Sequence, residues 1–351
     1  YARTWGTNKI IIDSNGLNYQ GDPDTDTVEY TTDGQSLNIV YSDATKGWIP
    51  LEDDVTALEP VAPPTQKAIF GYGTTGSNVS LTNLVSSSGV VAADVTGVGT
   101  ARSLLAAAGY GGDKAIFGYG NSGSRVSISN LVNNSGVVAA DVTGVGTARD
   151  ELAAATYGTD KAIFGYGNTG SSSSLTNLVS NSGVVAADTT GVGTARWSLA
   201  ATGYGTDKAI FGYGYDGSSR VSMTNLVNSS GVVATDVTGV GTARNALAAA
   251  SYGGDKAIFA YGTTDSANVS ISNLVNNSGV VASDVTGVGT ARGGLAAASY
   301  GGDKAIFAYG TTGSNVSMSN LVSNSGVIAA DVSGVGTARR TIAAAGFSTS
   351  A

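Results

Sequence analysis

Side chains able to do chemistry fall into two groups, those copied six times along the chain and those that occur in one copy only. The copied set contains a cation, an anion and an aromatic. Arginine stands at Arg102, Arg149, Arg196, Arg244, Arg292 and Arg339. Aspartate stands at Asp94, Asp141, Asp188, Asp236, Asp284 and Asp331, and tyrosine at Tyr72, Tyr119, Tyr166, Tyr213, Tyr261 and Tyr309. Such sets could hold an anionic ligand, a metal ion in a central channel, or a sugar stacked on aromatic rings. Sixfold copying favours packing instead, because a single active site needs asymmetry. Each arginine is expected to bridge neighbouring repeats, bonding carbonyls or the repeated aspartate, which precedes it by eight residues. The tyrosines are expected in the core. Lysines such as Lys114 and Lys161, which follow Asp113 and Asp160, belong to charged turns facing water.

The asymmetry lies at two places in the repeats. One is the loop after the GYG-like motif, with Arg125 in NSGSR, Tyr215, Asp216 and Arg220 in YDGSSR, and Asp265 in TTDSAN. The other is the trio after the repeated arginine, with Asp150 and Glu151, then Trp197, then Arg340. An exposed Trp197 near Tyr215 and Arg220 would make a recognition spot for glycan or protein, since loops on a rigid scaffold carry binding. Neutral drift in tolerant loops accounts for the same differences, and the sequence leaves both readings open.

Several classes are set aside by what is missing. There is no histidine and no cysteine, which removes thiolate nucleophiles, disulfides, Cys/His zinc sites and the commonest general base. A glycosidase needs only paired carboxylates, but the carboxylates here are mostly sixfold copies. No enzyme activity, catalytic residue, cofactor or metal is therefore assigned. Asp22, Asp24 and Asp26 in DPDTD match part of a calcium loop but lack its downstream glycine and glutamate, and read as a polar turn. The net charge of −8 sits in residues 1–66, with eleven acidic and three basic side chains, against fifteen of each in 67–351. Neither part has the basic surface that phosphate contacts require, so nucleic acid is not an expected partner. No apolar run approaches the roughly 20 residues of a membrane span, so no membrane insertion is expected.

The elements that must position these residues come from internal repetition. KAIF recurs at Lys67, Lys114, Lys161, Lys208, Lys256 and Lys304, at spacings of 47, 47, 47, 48 and 48. With 51 glycines the composition could suit a linker, yet regular Val, Ile, Leu and Phe supply a core. One unit suggests four short strands, at 67–73, 78–85, 89–96 and 103–110, separated by Gly-rich or Asn/Ser-rich turns. The last is Leu/Ala-rich but too short for an unsupported helix, and the tight Tyr-Gly-Gly-Asp link into the next KAIF suits a hairpin.

If each Ala-rich strand pairs with the KAIF strand that follows it, two strands lack partners in sequence, 67–73 at the start and 341–347 at the end. Unpaired edges invite aggregation, and terminal units of an open stack are usually altered into caps. These are not altered. Pairing them gives an all-β, six-bladed β-propeller over residues 67–351, one blade being stitched from both ends. Within a blade the order from axis to rim would be SLLAAAGY, KAIFGYG, NVSLTNLVS, VVAADVT, and both variable places would fall on the crossover face.

Ahead of it, residues 1–57 read as a small β-rich domain. Val28, Tyr30, Leu37, Ile39 and Tyr41 alternate with polar residues about Asp33-Gly34, which predicts a hairpin. A strand is expected at 9–12, and Trp48 as the plug of a small core. Residues 58–66, LEPVAPPTQ, form a stiff Pro-rich connector.

The run GVVAADVTGVGTARSLLAAAGYGGDKAIFGYG resembles a kelch repeat, with a T-x-R step ahead of a small-residue strand and an aliphatic strand ending in glycines. It departs in having Gly71-Tyr72-Gly73 for the usual Gly-Gly pair, in Ala260 and Ala308, and in lacking the blade tryptophan. The whole chain, KAIFGYG…TGVGTAR repeats behind a GQSLNIVYSDATKGW module, resembles bacteriophage virion fibre or tail proteins. That resemblance implies a structural virion component, located in the fibre or tail. Its small domain would attach to other virion proteins through residues 1–66, as a homotrimer, and its propeller would be a displayed head for a host receptor or glycan. A secreted lectin-like propeller, which would be extracellular, and a kelch-type protein–protein adaptor are the alternatives.

Overall fold

Ile10, Ile11 and Ile12 are β-branched and suit a short strand, and they form β1 (Ile10–Ile12). It pairs antiparallel with β2 (Val28–Tyr30), in register from Ile10↔Tyr30 to Ile12↔Val28. Among the described residues, 28–30 and 37–41 are not paired with each other as the expected hairpin would require. Instead β3 (Ile39–Asp43) pairs with β4 (Gly47–Pro50). The reason is local turn chemistry. Asp43 Oδ1 accepts the N–H of Thr45 at 2.8 Å and of Lys46 at 2.7 Å, and Gly47 adopts φ +68° where a Cβ would strike Asn18 O. Trp48 is not the plug. It is half-buried against Tyr41, at a ring separation of 5.5 Å. Among the described residues of this unit the buried rings are Tyr19 and Tyr30, whose hydroxyls share a 2.7 Å hydrogen bond. These strands belong to one compact unit, Tyr1–Pro63; the second is Pro64–Ala351. The computed structural model describes residues 5, 9–21, 28–31, 37–50 and 66–350. Asp22, Asp24, Asp26, the Asp33-Gly34 turn and connector residues 58–65 lie outside the described residues.

The second unit is six three-stranded antiparallel sheets. The repeats supply β5 (Lys67–Gly71), β6 (Thr82–Val85), β7 (Ala106–Tyr110), β8 (Lys114–Gly118), β9 (Ser129–Val132), β10 (Ala153–Tyr157), β11 (Lys161–Gly165) and β12 (Thr176–Val179). They continue with β13 (Ala200–Tyr204), β14 (Lys208–Gly212), β15 (Thr224–Val227), β16 (Ala248–Tyr252), β17 (Lys256–Ala260), β18 (Ser272–Val275), β19 (Ala296–Tyr300), β20 (Lys304–Ala308), β21 (Ser319–Val322) and β22 (Ala343–Phe347). Five sheets are consecutive in the chain, β7-β8-β9 through β19-β20-β21. The sixth, β22-β5-β6, joins the two ends of the unit, in register from Ala343↔Gly71 to Phe347↔Lys67. The Ala-rich strands touch one another in cyclic order, with β22 against both β19 and β7.

Strand lengths differ from expectation in two ways. The segment 89–96 is not a continuous strand but attaches through two bridges, Val85↔Val91 and Thr82↔Val95. The Ala-rich strand starts three residues late, at Ala106 rather than Ser103, because Leu104 takes a left-handed φ of 57°.

KAIFG is buried from its second residue to its last. That pattern, apolar on both sides, is what a strand covered on both faces requires. Ile69 packs with Phe117 toward the β7-β8-β9 sheet, while Phe70 packs with Ile306 and Tyr309 toward the opposite neighbour. The glycine ending the strand makes room for the next sheet's phenylalanine. A Cβ on Gly71 would lie 2.7 Å from the Phe117 ring. Where alanine stands there, at Ala260 and Ala308, the tyrosine–phenylalanine ring separations are 5.5 and 5.4 Å, against 5.1 to 5.2 Å at the four glycine copies.

Candidate functional site

Each repeated arginine is fully buried, which an unpaired cation cannot sustain. Arg102 shows how it is satisfied. Its Nε donates to Tyr119 O at 2.8 Å, Nη1 to Thr100 O at 3.1 Å and Nη2 to Asn130 Oδ1 at 2.7 Å. Its guanidinium lies 4.3 Å from the Tyr72 ring centre. The same joint recurs at the other five arginines, with Arg339 reaching Tyr72 O and Asn83 Oδ1 at the start of the unit. The expected arginine–aspartate pairing is corrected in its partner. Arg102 faces Asp141 of the following repeat at 4.0 Å, not Asp94 eight residues before it, whose partner is Arg339 at 3.7 Å. Asp141 also accepts the hydroxyl and N–H of Thr100 and the amide of Asn130. Burial raises its carboxyl, but these hydrogen bonds and Arg102 outweigh that and hold it below the ordinary value. The repeated tyrosines are buried too, so they offer no stacking surface. Burial pushes the Tyr119 and Tyr166 phenols up to about 12.

Immediately after each joint the chain meets the variable positions, and the two variable places prove to be bonded to each other. Trp197 and Tyr215 exchange two main-chain hydrogen bonds, both 2.9 Å, and Tyr215 bridges in turn to Arg220. The same triplet is formed by Arg340–Thr74–Asn78, Ser103–Asn121–Arg125, Asp150–Asn168–Ser172, Asn245–Thr263–Asn268 and Gly293–Thr311–Asn315. The third member reaches the next triplet or the residue beside it. Asn78 donates to Asn121 O, Arg125 to Asp150 Oδ1 at 3.0 Å, and Ser172 to Asp216 O at 3.0 Å. Arg220 donates to Asn245 Oδ1 at 3.0 Å and pairs with Asp265, Asn268 donates to Thr311 O, and Asn315 returns to Thr74 O at 3.2 Å.

One residue further along, a second series runs through the main chain. Leu104, Glu151, Ser198, Ala246, Gly294 and Thr341 all adopt φ of 50–62°. Each N–H donates to the preceding member's carbonyl at 2.7–3.0 Å, and Leu104 donates to Thr341, so the series returns to its start. These residues, each with the one following it, line a cavity of about 110 Å³. Glu151 is the one acid among them. Burial first, and neighbouring Asp150, raise its carboxyl above the ordinary value, against the lowering effect of the Ser198 hydroxyl and Arg125.

The positions singled out from sequence thus gather at consecutive triplets. Trp197, Tyr215 and Arg220 form one, with the two ring centres 5.0 Å apart, and Asp216 adjoins it. Arg125 and Asp150 are an ion pair, Glu151 contacts Ser198, and Asp265 pairs with Arg220. Arg340 sits in the triplet with Thr74 and Asn78, apart from the aromatic one. Sequence reasoning missed the six buried asparagines of the joint (Asn83 and its copies) and the cross-linking role of Asn78, Ser172, Asn268 and Asn315. The signal for the former was present, since TNLV or SNLV keeps its asparagine in all six repeats.

No protein-family model matches the chain, and no curated protein matches it. The chemistry on offer is therefore read from the side chains alone. It consists of stacking on Trp197 and Tyr215 and of hydrogen bonding to Asp216, Glu151 and Ser172. Among the described residues no group of three or more His, Cys, Asp or Glu side chains is placed to hold a metal ion.

Proposed function

We propose that residues 67–351 form a six-bladed, kelch-like β-propeller, and that it serves as the displayed head of a bacteriophage fibre or tail appendage. The propeller reading is supported by the β22–β5 pairing and by the cyclic contacts of the Ala-rich strands. The buried arginine joint between sheets is the counterpart of the kelch-like T-x-R step. The virion reading rests on the resemblance of the repeats and of the GQSLNIVYSDATKGW module to phage structural proteins. In this reading residues 1–57 attach the head to other virion proteins as a trimer, residues 58–66 are the connector, and the protein catalyses nothing.

The observation that carries a binding role is the unevenness of the triplets. Five hold small, polar or charged residues, and one holds two aromatic rings locked by a main-chain bridge. Drift alone would not be expected to place both rings at hydrogen-bonded partner positions. The test is twofold. Sedimentation of the full chain is expected to give a trimer, and labelled protein is expected to adhere to host bacterial cells in a Trp197-dependent way. A monomer that binds one soluble cellular protein and no cell surface would point to an adaptor. Binding to glycans by a monomer would point to a secreted lectin-like protein.

A further inference from the structure

The reading of the aromatic triplet as a recognition surface can be carried to the chemical class of its ligand. Trp197 and Tyr215 are both partly exposed, and their rings are held 5.0 Å apart at 59° by hydrogen bonds running both ways between their main chains. Such a surface loses little freedom on binding and offers an apolar face with polar edges. The charges around it narrow the choice. Two cations, Arg125 and Arg220, lie on these consecutive triplets, and both are already engaged. Arg125 is bound by Asp150 at 3.0 Å, and Arg220 by Asp265 and Asn245. Three carboxylates besides the half-buried Glu151 stand near them, Asp150, Asp216 and Asp265, so two cations against three anions leave an excess of one negative charge. An anionic ligand would be repelled here, where Arg125 and Arg220 are each already held by an acceptor. Hydroxyl groups, in contrast, meet an acceptor in Asp216 Oδ2, the carboxylate being fixed in place by the N–H groups of Ser218 and Ser219 on Oδ1. The nearby cavity, about 110 Å³, is too small for a buried ligand, so whatever binds lies across the surface.

We infer that Trp197 and Tyr215 bind a neutral sugar unit of a surface polysaccharide, stacking its apolar face and leaving its hydroxyls to the Asp216 carboxylate. This rests on the recognition-head reading given above, and the test separates the two. The full chain is applied to an array of neutral, sialylated and sulfated glycans, and hits are titrated by calorimetry. Binding to neutral glycans is expected, with little dependence on salt. Trp197→Ala and Tyr215→Ala should each weaken it tenfold or more, Trp197→Phe should restore most of it, and Val90→Ser, on the exposed outer segment, should leave it unchanged. Signal confined to sialylated or sulfated glycans overturns the neutral class. An empty array overturns the glycan class. In either case, adhesion to cells that is lost in Trp197→Ala keeps the recognition head, whereas absent or Trp197-independent adhesion overturns both. Thermal melts of each variant guard against misfolding, and the Phe variant carries the result if the Ala variant is unstable.

Discussion

Arg339 Nη2 donates to Asn83 Oδ1 at 2.6 Å across 256 positions of sequence, the same contact that Arg102 makes to Asn130 across 28. The joint between the last repeat and the first is thus chemically indistinguishable from those between consecutive repeats. Its stability should also be indistinguishable. Arg339→Ala and Arg196→Ala each leave a carbonyl pair and an asparagine oxygen buried without donors. Each should cost about 3–5 kcal/mol, equal within error, as read from urea denaturation. A much smaller loss for Arg339 would mean that the end-to-end joint is weaker in solution than the other five.

Removal of residues 341–351 deletes β22, which covers β5 along its whole length. The remaining β5-β6 pair would expose a bare edge. Loss of the cooperative melt, with aggregation on size exclusion, is the expected result. A soluble truncation with an unchanged melt would show that the strand pairing contributes nothing.

The two glycines about Tyr72 should respond differently to the same methyl group. Gly71→Ala reproduces what repeats five and six already carry at Ala260 and Ala308, and the neighbouring ring needs to shift only a few tenths of an ångström. It should cost less than about 1 kcal/mol. Gly73 has φ +102°, and a Cβ there would lie 2.4 Å from Ile342 Cγ2 and 2.7 Å from Arg340 O. Gly73→Ala should cost roughly 2 kcal/mol or more. The comparison is a pair of urea midpoints.

Glu151 and the six joint aspartates make opposite predictions with pH. Glu151 has a carboxyl raised by burial, so the folded state holds its proton longer than the unfolded state does. Stability is therefore lost as pH rises through the ordinary glutamate range toward the raised value. Glu151→Gln removes that loss and should raise the melting temperature at pH 7, with little change below pH 4. Asp94 and its copies are held below the ordinary value, net of burial, by the threonine, asparagine and arginine contacts. Their contribution is present above the ordinary aspartate range and disappears as pH falls through the lowered values. Wild type and the Glu151 variant should both weaken there in parallel. Equal melting of the two proteins at pH 7 would show that Glu151 is solvated in solution.

Much of the architecture was legible because the repeats align without gaps in their strands. KAIF marks the middle strand each time, and the tight Tyr-Gly-Gly-Asp link dictates which Ala-rich strand pairs with it. The nearness of Trp197 to Tyr215 was readable for the same reason, since each occupies a fixed place beside a repeated motif. What could not be read was which repeat a partner belongs to. Asp141 answers Arg102 rather than Arg149 because the joint lies between sheets, and sequence proximity points the wrong way. The left-handed turn at Leu104 was hidden because leucine and glutamate, not only glycine, occupy that position, held by a main-chain series visible only in three dimensions. In the N-terminal unit the turn at Asp43–Gly47 was not legible because its signal is a single carboxylate, Asp43, accepting the N–H groups of Thr45 and Lys46.

The sameness of the six joints has a further consequence for how the chain finds its order. An arginine that fits any asparagine–tyrosine–aspartate socket carries no address, so the wrong repeat would dock as well as the right one. At these joints the short covalent step from each arginine to its following strand tells a sheet which neighbour is its own, and two neighbour pairs carry a further mark in Arg125–Asp150 and Arg220–Asp265. Pairing order is therefore enforced by tether length, and assembly from one end is the route along which mistaken docking has least opportunity.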